Sequence, residues 1–147
     1  TRIIMVGDES CKILEHGWEK ENRIFLRSGR WDIRRTLAFA QQADMVLGPE
    51  TGVLNAVSSE DVAKVCLLSH SSEENLTKHW VNCTPMYPSD VHCYPCHMMH
   101  YGFSNCNRDD HTGGAMCAAS IDPNEVLLAI EHHRKLKYDI SGIMSNS

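Results

Sequence analysis

Short apolar runs that alternate with helix-compatible segments constrain this chain more than any other feature. Residues 2–6, 23–26, 45–47 and 63–68 each read as a short buried strand closed by a turn. Between and after them lie a short helix over 11–21, broken at Gly17, and an amphipathic helix over 31–43 with Ile33, Leu37 and Ala40 on one face. A helical continuation over 54–57 follows, then a segment from Ser71 to Trp80 with Ser71 and Glu74 at capping-box spacing. Such an order predicts an α/β domain whose parallel sheet is covered by helices on both faces. Ligands of such sheets bind beyond the carboxyl ends of the strands. Three turns are predicted there: Gly7 to Ser10, Gly48 to Gly52 and Ser69 to Ser72.

At 147 residues the chain suffices for one domain, 1–147, with a real core. Its 42% hydrophobic and 22% charged residues describe a globular chain, and a formal net charge of −5 argues against a general nucleic-acid binder. No apolar run reaches the ~18–20 residues that cross a bilayer. Thr1 leads at once into the first strand, so the chain reads as a piece of a longer protein.

The corner Leu47-Gly48-Pro49-Glu50-Thr51-Gly52 is the strongest local candidate for a binding site. It places open backbone N–H groups and the Thr51 hydroxyl at a helix start, which suits a phosphate or diphosphate. Gly52 lets a ligand approach the main chain. Alone, such a corner is ordinary architecture.

Seven cysteines are many for this length. Cys11 and Cys66 sit in apolar surroundings and read as inert thiols, whereas the other five fall between Cys83 and Cys117, beside His92, His97, His100 and His111. From residue 85 to 120 the periodicity disappears, which marks a Cys/His-rich irregular insertion. Cys93 and Cys96 form a chelating pair that Cys106 and Cys117 could complete as a tetrahedral structural zinc site. Such an ion would replace the apolar core the loop lacks. Cys83 and the four histidines are alternative ligands, and disulfides, free thiols or an iron–sulfur cluster are alternative states. A final helix is expected over 121–138, started by Asp122-Pro123-Asn124-Glu125, with Val126, Ala129, Ile130 and His133 inward and a frayed tail from Ser141.

In this order the pieces resemble the C-terminal half of family 9 glycosyltransferases, the heptosyltransferase-like enzymes of bacterial surface-polysaccharide assembly. The resemblance runs through Val6-Gly7-Asp8-Glu9, the Asp32 to Asp44 helix, Leu47 to Gly52 and Val65 to His70. It continues through Cys93-Tyr94-Pro95-Cys96, Cys106, Cys117 and Ile121 to Val126. It implies a Rossmann-like domain that holds a nucleotide diphosphate sugar. By it, Thr51 and Gly52 would hold the diphosphate and Glu9, in the turn opened by Gly7, the ribose. Glu50 would touch the sugar or its phosphate surroundings. By their own place, after the fourth strand and before a helix start, Ser69, His70, Ser71 and Ser72 could add phosphate contacts, with His70 read as a polar loop residue and not a catalytic one. Glu50 stands where the family usually has Asp, and Asn55 where many members carry His, so the sugar stays open.

The reaction implied is inverting transfer to a glycan acceptor, with no metal or other cofactor required. The base would lie in an N-terminal domain, and no catalytic residue is expected in this chain. The resemblance implies a cytoplasmic parent, compatible with peripheral association at the inner face of a membrane. The alternative is a non-enzymatic, zinc-stabilised binding module whose nucleotide crevice is vestigial.

Overall fold

The computed structural model of the chain describes residues 1–98 and 106–144, with side chains as far as Lys137 in the last helix. His100 and the tail residues 145–147 lie outside the described residues. The architecture is α/β, with small parallel sheets flanked by helices, compatible with a Rossmann-like fold. Its contacts divide it into two compact units, Thr1–Gln42 and Ala43–Ser147.

In the first unit, β1 (Ile3–Met5) pairs in parallel with β2 (Ile24–Leu26), Ile3 opposite Ile24. These strands have only three residues each, so they make a small separate sheet and not part of the single broad one expected. Between them the chain forms a 3-10 helix, Glu9–Glu15, in place of a helix over 11–21. Asp8 caps it by accepting hydrogen bonds from the Ser10 and Cys11 amides, and the chain leaves it just before Gly17, at φ +91°. Glu15 turns inward instead, where its carboxylate accepts the Ser28 N–H at 2.8 Å.

Asp32 caps α1 (Ile33–Ala40), which is shorter than expected. Thr36 and Ala40 form its buried side, whereas Ile33 is 60% exposed, against the inward position its spacing suggested. Trp31 carries the Arg35 guanidinium 4.7 Å above its ring and packs 5.4 Å from Phe39.

The second unit holds a parallel sheet of β3 (Met45–Pro49), β4 (Ala63–Leu67) and β5 (Cys83–Met86), in that order. Central β4 is the most buried, in keeping with its largely apolar sequence, which Lys64 alone interrupts. Leu54, Cys66 and Leu68 form the centre of the core, and Val46, Leu76, Trp80, Cys83 and Tyr94 pack against it. Lys64 is fully buried, its Nζ donating to the carbonyls of Glu60 and Val62, each at 2.7 Å.

Strand β5 falls partly inside the expected irregular insertion. Pro85 hides it from sequence reading, because a proline has no N–H for a ladder; the outermost position tolerates one. The segment after Ser71 forms successive turns and not a helix. Its cap is Ser72, whose hydroxyl accepts the Asn75 N–H at 3.3 Å, because the Ser71 N–H is engaged elsewhere.

Later, Arg108 bridges Ala115 around a turn in which Asp109 accepts from the Thr112 N–H and hydroxyl. The short helix α3 (Met116–Ala119) follows. The described residues 106–120 of the insertion therefore have local order from their own hydrogen bonds.

Helix α4 (Pro123–Met144) runs beyond the expected 121–138 and through Ser141. Asp122 caps it through the Asn124 N–H at 2.8 Å. Val126, Ala129 and Ile130 are partly buried and His133 is buried, as the period predicts. Among the described residues no helix is long and apolar enough to cross a membrane.

Candidate functional site

Strands β3 and β4 run side by side with Pro49 opposite Leu67, so the turns leaving their carboxyl ends are neighbours. One side chain joins those turns. Glu50 is 3% exposed, and its carboxylate gathers donors from the β4 turn. Oε2 accepts the Ser69 N–H at 3.2 Å, the Ser69 hydroxyl at 3.0 Å and the His70 N–H at 3.2 Å. Oε1 accepts the Ser71 N–H at 2.7 Å, and His70 Nδ1 also meets Oε2. An ionised carboxylate is stable in so buried a place only because charge-assisted hydrogen bonds replace its water. Three successive amides of the β4 turn thus form a nest for an anion, and the chain's own Glu50 fills it.

That geometry bears directly on two expected donor-binding residues. Ser69 gives both its amide and its hydroxyl to Glu50, and Glu50 spends both oxygens on the turn. Their combined effect is to fix the rim of the site. A carboxylate one methylene longer than aspartate has the reach to span the two strand ends.

On that rim stand Thr51 and Gly52. Thr51 occupies the cap position of α2 (Gly52–Ala56) with an extended backbone, φ −110° and ψ 163°, yet its side chain makes no capping hydrogen bond. Its own N–H donates to the Pro49 carbonyl at 2.7 Å. Both Thr51 and Gly52 are exposed. At Gly52 φ lies outside the left-handed region, and an added Cβ would find nothing within 4 Å. The fold does not require a glycine there. Asn55 closes the turn by donating from Nδ2 to the Thr51 carbonyl at 3.0 Å, leaving its Oδ1 as the acceptor. With only five residues, α2 has a weak macrodipole, so the local amides and the Thr51 hydroxyl are what it offers a ligand.

Gly7 and Glu9 belong to the first unit. A Cβ on Gly7 would lie 2.5 Å from Cys11 Sγ, so packing alone demands that glycine. Glu9 pairs with Lys12 at 2.5 Å and remains largely exposed; it lies against Gly29, whose φ is +66°.

Beside the rim, Ser72, Glu73, Glu74, Lys78, Tyr87 and Tyr94 line an open cavity. Tyr87 donates its hydroxyl to Glu73, and burial followed by that bond pushes its pKa up to about 12. Burial, then the negative charges of Glu50 and Glu73, also raises Tyr94, whose hydroxyl is buried and has no partner among the described residues. Sequence reading missed Tyr94 as a neighbour of the site, and only its place near the Glu50 carboxylate marks it; His70 lies in the Ser69 to Ser72 turn that was expected there.

Among the described residues no group of three or more His, Cys, Asp or Glu side chains is arranged to hold a metal ion. Cys83 lies on β5 and packs into the core. Cys93 is exposed, Cys96, Cys106 and Cys117 are partly buried, and all are free thiols. Burial, then the nearby Cys93 and Cys106, raises the Cys117 thiol above its ordinary value. His92, His97 and His111 are exposed, and His97 is held through its amide, which donates to the His70 carbonyl at 2.8 Å. Cys66 has no exposure, and burial pushes it up to about 12, which agrees with an inert thiol.

No protein-family model, curated protein or solved structure matches the chain.

Proposed function

We propose that this chain is the donor-binding part of an inverting glycosyltransferase resembling family 9, and that it receives the diphosphate of a nucleotide sugar at Thr51 and Gly52. Gly52 is the observation that carries the reading. It is a glycine that neither backbone conformation nor neighbouring atoms require, placed in open space on a braced rim. A close approach of ligand to the main chain gives that glycine a reason. The Thr51 hydroxyl, unused as a cap, is the adjoining donor.

In transfer, an acceptor hydroxyl attacks the anomeric carbon while the nucleoside diphosphate departs. Negative charge grows on the leaving group, so donors already fixed in place act most strongly in the transition state. The Glu50 knot supplies that fixity by bracing the β3 turn against the β4 turn. The resemblance assigns the base to an N-terminal domain, so this chain is expected to bind donor without turning it over.

Thermal unfolding with a panel of nucleoside diphosphates tests the reading. Ligand at about 100 times its Kd adds about 2.7 kcal/mol of stability, which raises the melting temperature by several degrees. Gly52→Val and Thr51→Val should each keep the unliganded melting temperature and lose the protection. A panel that leaves the wild-type chain unprotected rejects the proposal.

A further inference from the structure

We infer that His70 is a ligand-facing residue of this rim: Glu50 holds its Nδ1 edge, and the opposite nitrogen, Nε2, meets an anionic oxygen of the bound diphosphate. The inference rests on the donor-binding reading above and adds a proton to it. Binding then tightens when His70 is protonated.

The first support is placement. His70 sits in the β4 turn, bound by both its backbone N–H and its ring to the carboxylate that directly precedes Thr51. Its carbonyl is held as well, by the His97 N–H. An imidazole anchored on one edge by a buried carboxylate has its tautomer and ring plane set, which is how proteins aim the other nitrogen at a target. No hydrogen bond engages that other nitrogen among the described residues, and the His70 side chain keeps 21% of its surface exposed.

The second support is charge. Glu50 brings a negative charge to within one residue of the place assigned to a diphosphate, and its amide nest is already used. A second anion beside it is repelled unless a cation intervenes. Among the described residues, His70 is the side chain in contact with Glu50 that becomes a cation when it takes up a proton. Protonated, it neutralises the carboxylate through Nδ1 and presents an N–H donor at Nε2. Neutral, it leaves Glu50 uncompensated and turns a lone pair toward the ligand.

The other titratable residues near the pair are His97, whose amide holds the His70 carbonyl, Tyr94 from the segment after β5 and Cys66 from β4, with Glu73 acting on Tyr94. Burial raises both Tyr94 and Cys66, so neither changes charge near neutrality.

The experiment is calorimetric titration of the chain with uridine, adenosine, guanosine and thymidine diphosphate hexoses from about pH 5.5 to about pH 8, the range in which a histidine titrates. The diphosphate of such a diester takes up no proton there, so a pH slope belongs to the protein. Wild-type affinity should fall about tenfold across the range, the loss of one charge-assisted contact. His70→Asn, whose amide still donates to Glu50, should bind with the affinity wild type shows at the alkaline end and with no slope. His70→Lys should show no slope either. A wild-type slope that survives in His70→Asn, or no wild-type slope at all, overturns the role of His70 and leaves the donor site standing. Absence of binding to any of the four at every pH overturns the donor site itself, and this inference with it.

Discussion

Thr84 on β5 and His133 on α4 meet side chain to side chain, with Oγ1 and Nε2 2.9 Å apart. The contact fastens the last helix to the sheet through a polar pair. Which of the two donates follows the imidazole tautomer, because the Thr84 hydroxyl can donate or accept. Burial, then the adjacent His132 and Lys64, holds His133 below its ordinary value.

A pH dependence of stability follows. The unfolded chain binds the His133 proton more readily than the folded one, from the ordinary value of about 6.5 down to the depressed folded value. Stability should therefore fall as pH drops through that window. His133→Gln, which keeps a hydrogen-bonding partner for Thr84, should lose less stability on acidification than wild type. Urea midpoints at about pH 7.5 and about pH 5.5 check the difference between the two proteins.

Glu50→Ala should cost about 3–5 kcal/mol, because the Ser69, His70 and Ser71 amides lose their acceptor together. Amide hydrogen exchange at those three residues should accelerate more than in β4 beside them. Equal rates in wild type and variant would show that the carboxylate does not brace the turn.

Two glycines should respond in opposite ways. Gly29→Ala forces a Cβ into φ +66° and to within 2.3 Å of Glu9 Oε2, and is expected to destabilise by about 1–2 kcal/mol. Gly52→Ala meets open space at an ordinary φ and should leave the unliganded midpoint within about 0.5 kcal/mol of wild type or raise it. Denaturant titrations of the two variants decide the contrast.

Thiol labelling should be ordered by burial. Cys93 is exposed and should react first with a mild alkylating reagent, whereas Cys66, fully buried and raised to about 12, should react only on unfolding. Peptide mapping after partial labelling reads the order, and early modification of Cys66 would contradict the burial of β4.

What could be read from the sequence had local causes. Asp122-Pro123 starts α4 because a cap and a proline act within one turn, and its inward face follows from the helical period. Strand β4 announces itself through a run that is apolar except for Lys64. What escaped had distant causes. The Ser71–Glu74 box is not built because Ser71 donates to Glu50, twenty-one residues earlier in the chain. Glu50 resembled a ligand contact, and the amide nest that engages it exists only once β3 and β4 are paired. Ile33 fits the apolar stripe of α1 by period, yet Thr36 takes the buried place by returning its hydroxyl to the Asp32 carbonyl. The cysteine series showed a pattern of spacing, and spacing does not say which thiols enter a strand.

Pro85 on β5 has a consequence for encounters between molecules. A parallel sheet that ends in an uninterrupted strand offers a row of unpaired donors and acceptors, onto which another extended chain can align. Here one donor in that short row is missing and a ring stands in its place. Strand-by-strand growth from this margin is blunted, so copies at high concentration should resist joining there even though four apolar or partly apolar residues lie at the boundary of the sheet.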